Sequence, residues 1–521
     1  MKRMMRKPLS FSTTMRNPDR ISTFLKSIEE FDGEILTNIL IKKIISKWII
    51  GRLIRPDTAL RIKPEYKSIY NSKINNFTES QAHDIFEITE QNTKGHKEAG
   101  FDRGWPSRFD TYMSLPKELG FIYYKMNEPI EISETGYLLI SSTDPDMSEA
   151  VAESDVFLNA LVKYQTNNPF RRNTVNNAPF VLFLNTIHYL TENYNWKKRG
   201  IYRHEIPFFT CWPNDDEKAL ANYIDDFRKR HGLRPSSEIV YDLCLEILKT
   251  DNRKRYKFKQ ITVEGVDDFI RKFRVTGVVS LRGGGYLIDI NQYEIEKIKY
   301  VLNNYIKYHE YDNEYDFYQY MGKIDQSIIT AQTEVSIKEV KDKKIEQLET
   351  WANELTFADL KKEFTALETG SKHPILKFIS APTRFEFLTS IALKKVFIYD
   401  EILPNYSIDD EGMPTNHAQG GMGDIEVFSK NSDVLVEVTL MKNRSQATNE
   451  IPAITRHLQE FSEGKKKTIF SIFVAPSMHT DTEYMIGYTH SRYNLNIIPI
   501  INNEFINILQ KTTNIEDILE V

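Results

Sequence analysis

The chain has 521 residues, 40% hydrophobic and 27% charged, enough apolar material for more than one core and long enough to predict two to four domains. A net charge of −5 and a pI near 6.2 argue, on average, against a polyanionic partner, and two cysteines, Cys211 and Cys244, exclude a disulfide framework or a cysteine-rich zinc site. The most apolar run, Ile39 to Ile54, is broken by Lys42, Lys43, Lys47 and Arg52, and the basic start, Met1 to Lys7, lacks an apolar h-region. Neither a membrane span nor a signal peptide is expected, and the protein reads as soluble and intracellular.

The charge is unevenly spread. Residues 1–63 hold fourteen lysines and arginines against six acids, a surplus of eight that leaves the remaining chain at −13. Such a head is either a solvated face or a phosphate-gripping surface. Two stretches then share one layout. In 112–143 a helix end (Tyr112 to Leu119) leads to Gly120–Tyr124, a polar turn at Asn127–Pro129, and Ile130–Ile132. In 265–304 a helix through Phe273 leads to Val275–Leu281, a turn at Arg282-Gly283-Gly284-Gly285, Tyr286–Ile290 and a further helix. Helix, hairpin, helix is the winged-helix arrangement. The triple glycine lacks a following Gly-Lys-Ser/Thr and sits between strands, so it predicts a hairpin with positive φ rather than a phosphate loop.

Residues 333–369 carry Val335, Ile337, Val340, Ile345, Leu348, Trp351, Leu355 and Leu360 at helical spacings among many charges, and read as a helical connector ending at Gly370–Pro374. The predicted division is two winged-helix-like modules (1–160 and 161–310), a helical linker (311–372) and an α/β domain (373–521). The whole is a multidomain α+β and α/β chain.

Chemistry concentrates in the last part. A helix over 383–397 carries Glu386, and strands over 424–428 and 434–440 form a hairpin whose second strand alternates. Val434, Val436, Val438 and Leu440 face one way; Leu435, Glu437 and Thr439 face the other. With the turn centred on Asn431-Ser432, Asp424 lies opposite Thr439, and Asp424 and Glu437 become diagonal neighbours roughly 7 Å apart. Carboxylates on a valine-rich strand are costly to bury without a cation, and hard oxygen donors suit Mg2+. Glu426 has the same parity and competes for this role, and a solvated hairpin stays open. Glu450 and His457, seven apart on the next predicted helix, lean to one face. Residues 468–476 and 496–500 read as further strands of an α/β layer.

The segments Thr383-Arg384-Phe385-Glu386-Phe387-Leu388-Thr389, Asp424 with Glu437-Val438-Thr439, and Glu450-Ile451-Pro452-Ala453-Ile454-Thr455-Arg456-His457 resemble the AlwI-type restriction endonucleases, a Type IIS group with FokI-like organisation and strand-specific nicking relatives. The likeness extends loosely to Arg16–Ile21, Lys117–Phe121 and Asp155–Leu158. It implies a PD-(D/E)xK nuclease core with Asp424 and Glu437 as metal ligands, Glu386 and Glu450 supporting the site, and His457 as a nearby helper. Two departures from the general core stand out: Thr439 replaces the usual lysine and Gly423 the proline before the aspartate. The implied reaction is Mg2+-dependent hydrolysis of double-stranded DNA to 5′-phosphate and 3′-hydroxyl ends. Second-strand cutting then needs a transient homodimer or a separate small nuclease subunit. A cognate modification methyltransferase and a prokaryotic cytoplasm are implied partner and place. Arg16, Arg20, Arg103, Arg108 and Lys117 are the candidate DNA contacts. A nicking enzyme or the large subunit of a heterodimer, an inactive winged-helix regulator, and a repair or mobile-element nuclease are the alternatives.

Overall fold

The computed structural model describes residues 6–11, 14–72, 76–89, 97–142, 151–171, 175–194, 200–305 and 308–520; Lys2 and Arg3 of the basic head lie outside them. Helices dominate the front half because their apolar residues recur at helical spacing. Arg20–Ile28 buries Ile21, Phe24, Leu25 and Ile28 on one face. Asn38–Ile50, capped by the Thr37 hydroxyl accepting Leu40 N–H at 3.2 Å, buries Ile41, Ile44, Ile45 and Trp48. The charged breaks in this run are thus the outer face of a core helix. Among the described residues no helix is long and apolar enough to cross a membrane.

Both expected helix–hairpin–helix orders are present. The first runs from helix Trp105–Glu118 through strands Ile122–Tyr123 and Glu131–Ile132 to helix Glu134–Ser141. The second runs from helix Gly265–Arg274 through strands Val279–Arg282 and Leu287–Ile290 to helix Ile295–Asn304. Gly283, Gly284 and Gly285 take φ of 58°, 69° and 83°, the left-handed turn that the triple glycine predicts. A strand the sequence did not disclose, Ile201–Tyr202, pairs with Leu287–Ile290.

Two boundaries differ from expectation. The modules predicted at 1–160 and 161–310 share one continuous core from Leu9 to Ile328. The segment predicted as a free linker, 311–372, is divided between cores. Phe317, Met321 and Ile328 belong to the front core, while Leu348, Trp351, Leu355, Leu360, Phe364 and Leu367 pack under the rear sheet. A one-sided apolar stripe reads alike on a spanning helix and a docked one; here it is docked.

The rear sheet has five strands in spatial order Ile497–Ile501, Thr468–Ala475, Ser432–Val438, Ile425–Phe428, Glu401–Pro404. The first three are parallel and the last two join antiparallel. One face packs on helices Ile337–Glu354, Phe357–Thr369 and Ala381–Val396; the other, through Leu435 and Phe473, packs on helix Ile451–Ser462. Glu401–Pro404, the outer antiparallel strand, was not expected.

The second hairpin docks on the rear domain. Arg282 bonds Asp410 and Glu411, Ser280 Oγ donates to Asp410 Oδ1 at 2.7 Å, and buried Arg274 lies 3.4 Å from buried Asp409. Asn416 Nδ2 donates to Ser154 Oγ at 2.9 Å, and Ala381 N–H to Asp19 Oδ2 at 3.3 Å. This polar seam sets the front half against the edge of the sheet where the carboxylates lie.

Candidate active site

The hairpin register sets the site. Ile425 pairs with Val436, Glu426 with Leu435 and Phe428 with Asp433, so the turn is Lys430-Asn431, not Asn431-Ser432. Continuing that ladder puts Asp424 directly across from Glu437 rather than diagonal to it. The shift is even, so every side chain keeps its predicted face. Glu426 lies opposite Leu435, outside the cleft lined by Asp424 and Glu437.

Each acid is held by a specific donor. Val438 N–H donates to Asp424 Oδ2 at 2.7 Å, His457 Nδ1 lies 3.0 Å from Glu437 Oε1, the Thr439 hydroxyl donates to Glu450 Oε1 at 2.9 Å, and Ala418 N–H donates to Glu386 Oε2 at 3.0 Å. Glu386 comes from helix Ala381–Val396, Asp424 and Glu437 from the hairpin, Glu450 from the turn before helix Ile451–Ser462, and His457 from that helix. Thr439, at the position of the general core's lysine, bridges the hairpin to Glu450 instead. Gly423, at the proline position, has a packing reason: a Cβ there would lie 2.3 Å from Leu435 Cδ1 and 3.1 Å from Glu437 Oε1.

Burial and mutual repulsion raise all four carboxyls. Burial pushes Glu437 to about 8, with the Glu450 charge adding. Asp424 is held well above the carboxylate range by burial and then by Glu437; Glu386 likewise by burial and then by Asp424. Burial raises Glu450, opposed by the Thr439 hydroxyl and His457. Among the described residues no three His, Cys, Asp or Glu side chains converge on one point as a ready-made ion cage. The donor set therefore fits an ion taken by one or two carboxylates with water and a substrate phosphate completing its shell.

The five residues line a cleft of about 950 Å³ whose far wall comes from the front half, through Asp19, Lys26, Arg52 and Glu153. Two neighbours were missed in the sequence. His417, in the glycine-rich loop, lines the cleft with Nδ1 2.8 Å from the Ala418 carbonyl, and burial lowers its pKa. Lys344, on a helix read as connector, donates to the Pro404 carbonyl at 2.9 Å; burial lowers it to about 8 against the Glu386 charge. Nothing in a charged helical run marks one lysine as the buried one.

None of the five candidate DNA contacts lines this cleft. Arg16 is exposed; Arg20 donates to the Leu53 carbonyl at 2.7 Å; Arg103 lies 3.5 Å from Glu98; Arg108 sits 4.8 Å over the Trp105 ring. Lys117 is a correction: it is caged by Tyr124, Phe170 and Tyr123 at 4.6, 4.8 and 5.5 Å, and burial lowers its pKa, a packing role rather than a phosphate grip.

No curated relative matches the chain. Among solved structures it is similar to the small subunit of the heterodimeric restriction endonuclease R.BspD6I, at 25% identity over 30% of this chain and 77% of that one, TM-score 0.26. It is also similar to restriction endonuclease FokI, free at 11% identity and bound to DNA at 13%, each covering 99% of this chain and 97% of that one, TM-score 0.25. These superpositions are loose. The AlwI restriction endonuclease family model matches residues 117–363 and 319–508, three quarters of the chain, and on that match the chain belongs to the AlwI restriction endonuclease family.

Proposed function

We propose that the chain is a Type IIS restriction endonuclease: it binds a short asymmetric sequence in double-stranded DNA through its front half and hydrolyses phosphodiester bonds a fixed distance outside it. Asp424 and Glu437 hold Mg2+, and the products carry 5′-phosphate and 3′-hydroxyl ends. One observation carries the reading: four buried carboxylates, each on its own donor, gather at one sheet edge and open to a cleft. Such a set is costly to bury without a cation. Bound Mg2+ polarises a phosphate and lowers the pKa of an attacking water. The chain's part is to hold geometry. His457 orients Glu437, Thr439 fixes Glu450 where the general core has lysine, and the Ala418 amide fixes Glu386. In this reading the helix–hairpin–helix units are winged-helix recognition modules, and the sheet with its helices is the PD-(D/E)xK core. One such site cuts one strand, so a double-strand cut takes a second nuclease domain. A methyltransferase protecting the same sequence completes the system.

The test is incubation of bacterial genomic DNA with Mg2+ and with EDTA, followed by sequencing of the ends. Ends at a constant offset from a shared motif, seen only with Mg2+ and lost in Asp424→Ala without loss of specific binding, are expected. Metal-independent cutting, or none by a folded sample, overturns the reading.

A further inference from the structure

Helix Thr480–Tyr493 lies on the outside of the rear domain, beside the site. Its inner face is tied to the elements that carry the site: Thr482 Oγ1 bonds Gln446, and Thr489 lies 3.2 Å from Thr455 on the helix of His457. Its outer face is unusual. Tyr484 and Tyr488 are 73% and 49% exposed, and Gly487 between them has nothing within 4 Å of where a Cβ would stand. An exposed mid-helix glycine costs about 1 kcal/mol against alanine, and beside two open tyrosine rings it marks a place where another backbone comes close.

The charges name the partner. At 100° per residue, Glu483, Gly487 and His490 form one edge of the outer face and Asp481, Tyr488 and Arg492 the other, with Tyr484 and Ser491 along the crest. Glu483 and His490 stand at matched positions on either side of the midpoint between Ile486 and Gly487, and so do Asp481 and Arg492. Rotation about a two-fold axis at that midpoint lays an identical helix antiparallel and keeps each edge facing its own kind. Glu483 then meets His490 of the second copy. Asp481, which already bridges Arg444 at 2.9 Å, meets Arg492 of the second copy. No charge on either edge faces its like.

We propose that two copies of this chain pair through this helix, isologously about Gly487, and so bring a second catalytic domain to the first; the inference rests on the nuclease reading for its purpose but not for its geometry. The test uses the full-length chain carrying Gly487→Cys, a short bismaleimide cross-linker, genomic DNA and Mg2+; both native cysteines are buried. Cross-linked dimer is expected with Gly487→Cys and not with Lys466→Cys. Adding Glu483→Arg, or adding His490→Glu, should cut the dimer yield about tenfold, and mixing those two double variants should restore it, because each repulsion then meets its complement. Equal cross-linking in all variants, or no rescue on mixing, overturns the pairing. Mg2+-dependent nicking that persists without cross-linking refutes the pairing alone, and cross-linking without any cleavage refutes the nuclease reading alone.

Discussion

Asp424→Asn is expected to make the metal-free protein more stable while abolishing cleavage. The amide keeps the acceptor for Val438 N–H at 2.7 Å and nearly the same volume, so packing is conserved. What changes is charge. Glu437, pushed to about 8 from 4.5, takes up a proton at pH 7 at a cost of roughly 3 kcal/mol, and Asp424 is raised by the same burial and by Glu437 itself. Removing the Asp424 charge relieves its own share of that cost, on the order of 1–3 kcal/mol after relaxation, or about 3–8 °C in the melting temperature of a domain this size. The sign follows from linkage. These acids are raised in the folded state, so wild-type stability is full below their unfolded values and is lost as pH rises toward the folded ones. The advantage of Asp424→Asn therefore vanishes near pH 4.5 and grows toward pH 8. Thermal melts in EDTA and in Mg2+ read it out. Wild type should gain stability with Mg2+ and the variant should gain almost none. A variant less stable than wild type in EDTA at pH 8, or a wild type indifferent to millimolar Mg2+, refutes the electrostatic account of this cluster.

Three further outcomes follow. Glu153, 8% exposed and raised to about 8 by burial and then by Asp19, is neutral in the folded chain and ionised above about 4.5 in the unfolded one. Glu153→Gln should therefore gain a few kcal/mol over wild type in urea unfolding at pH 8, shrinking to nothing by pH 4.5; a pH-independent difference contradicts it. Gly423→Ala drives a methyl to 2.3 Å from Leu435 and should cost about 1–3 kcal/mol with reduced cleavage; combined with Leu435→Ala the two costs should add to less than their sum, and strict additivity in denaturation would show no contact. DNA binding should fall on the order of 10³–10⁵ between about 50 and 200 mM salt despite the acidic pI, and a flat response in filter binding would leave the basic head a solvated face.

What could be read from sequence was parity and type, not address. Alternation along 434–440 placed Leu435, Glu437 and Thr439 on one face, and the structure keeps them there although the turn lies one residue earlier, because an even register shift leaves the faces alone. Whether Asp424 stands opposite or diagonal to Glu437 depended on that turn, and Ser429 N–H bonding the Ser432 carbonyl at 2.9 Å closes it at Lys430-Asn431. Local pattern also found every core strand of the rear sheet except Glu401–Pro404, which is short and ends in proline. Tertiary partners were out of reach. Lys117 was read as a phosphate grip because its cage comes partly from Phe170, far along the chain, and Lys344 was read as solvated because its partner carbonyl belongs to Pro404.

The net charge misleads for the same reason. The rear domain gathers four carboxylates within one site, and the interdomain seam spends Asp409, Asp410 and Glu411 on Arg274 and Arg282. Those acids never present a negative face to a distant polyanion: the seam acids are paired at contact, and the site acids are buried at neutral pH with protons among them. Meanwhile Lys42 and Lys43 stand exposed on the outer face of Asn38–Ile50. Fields at a surface are set by unpaired exposed charge within about a Debye length, not by the formal sum over the chain. A sum of −5 is therefore compatible with a DNA-facing front half, and exposure, pairing and burial, residue by residue, are what decide the partner.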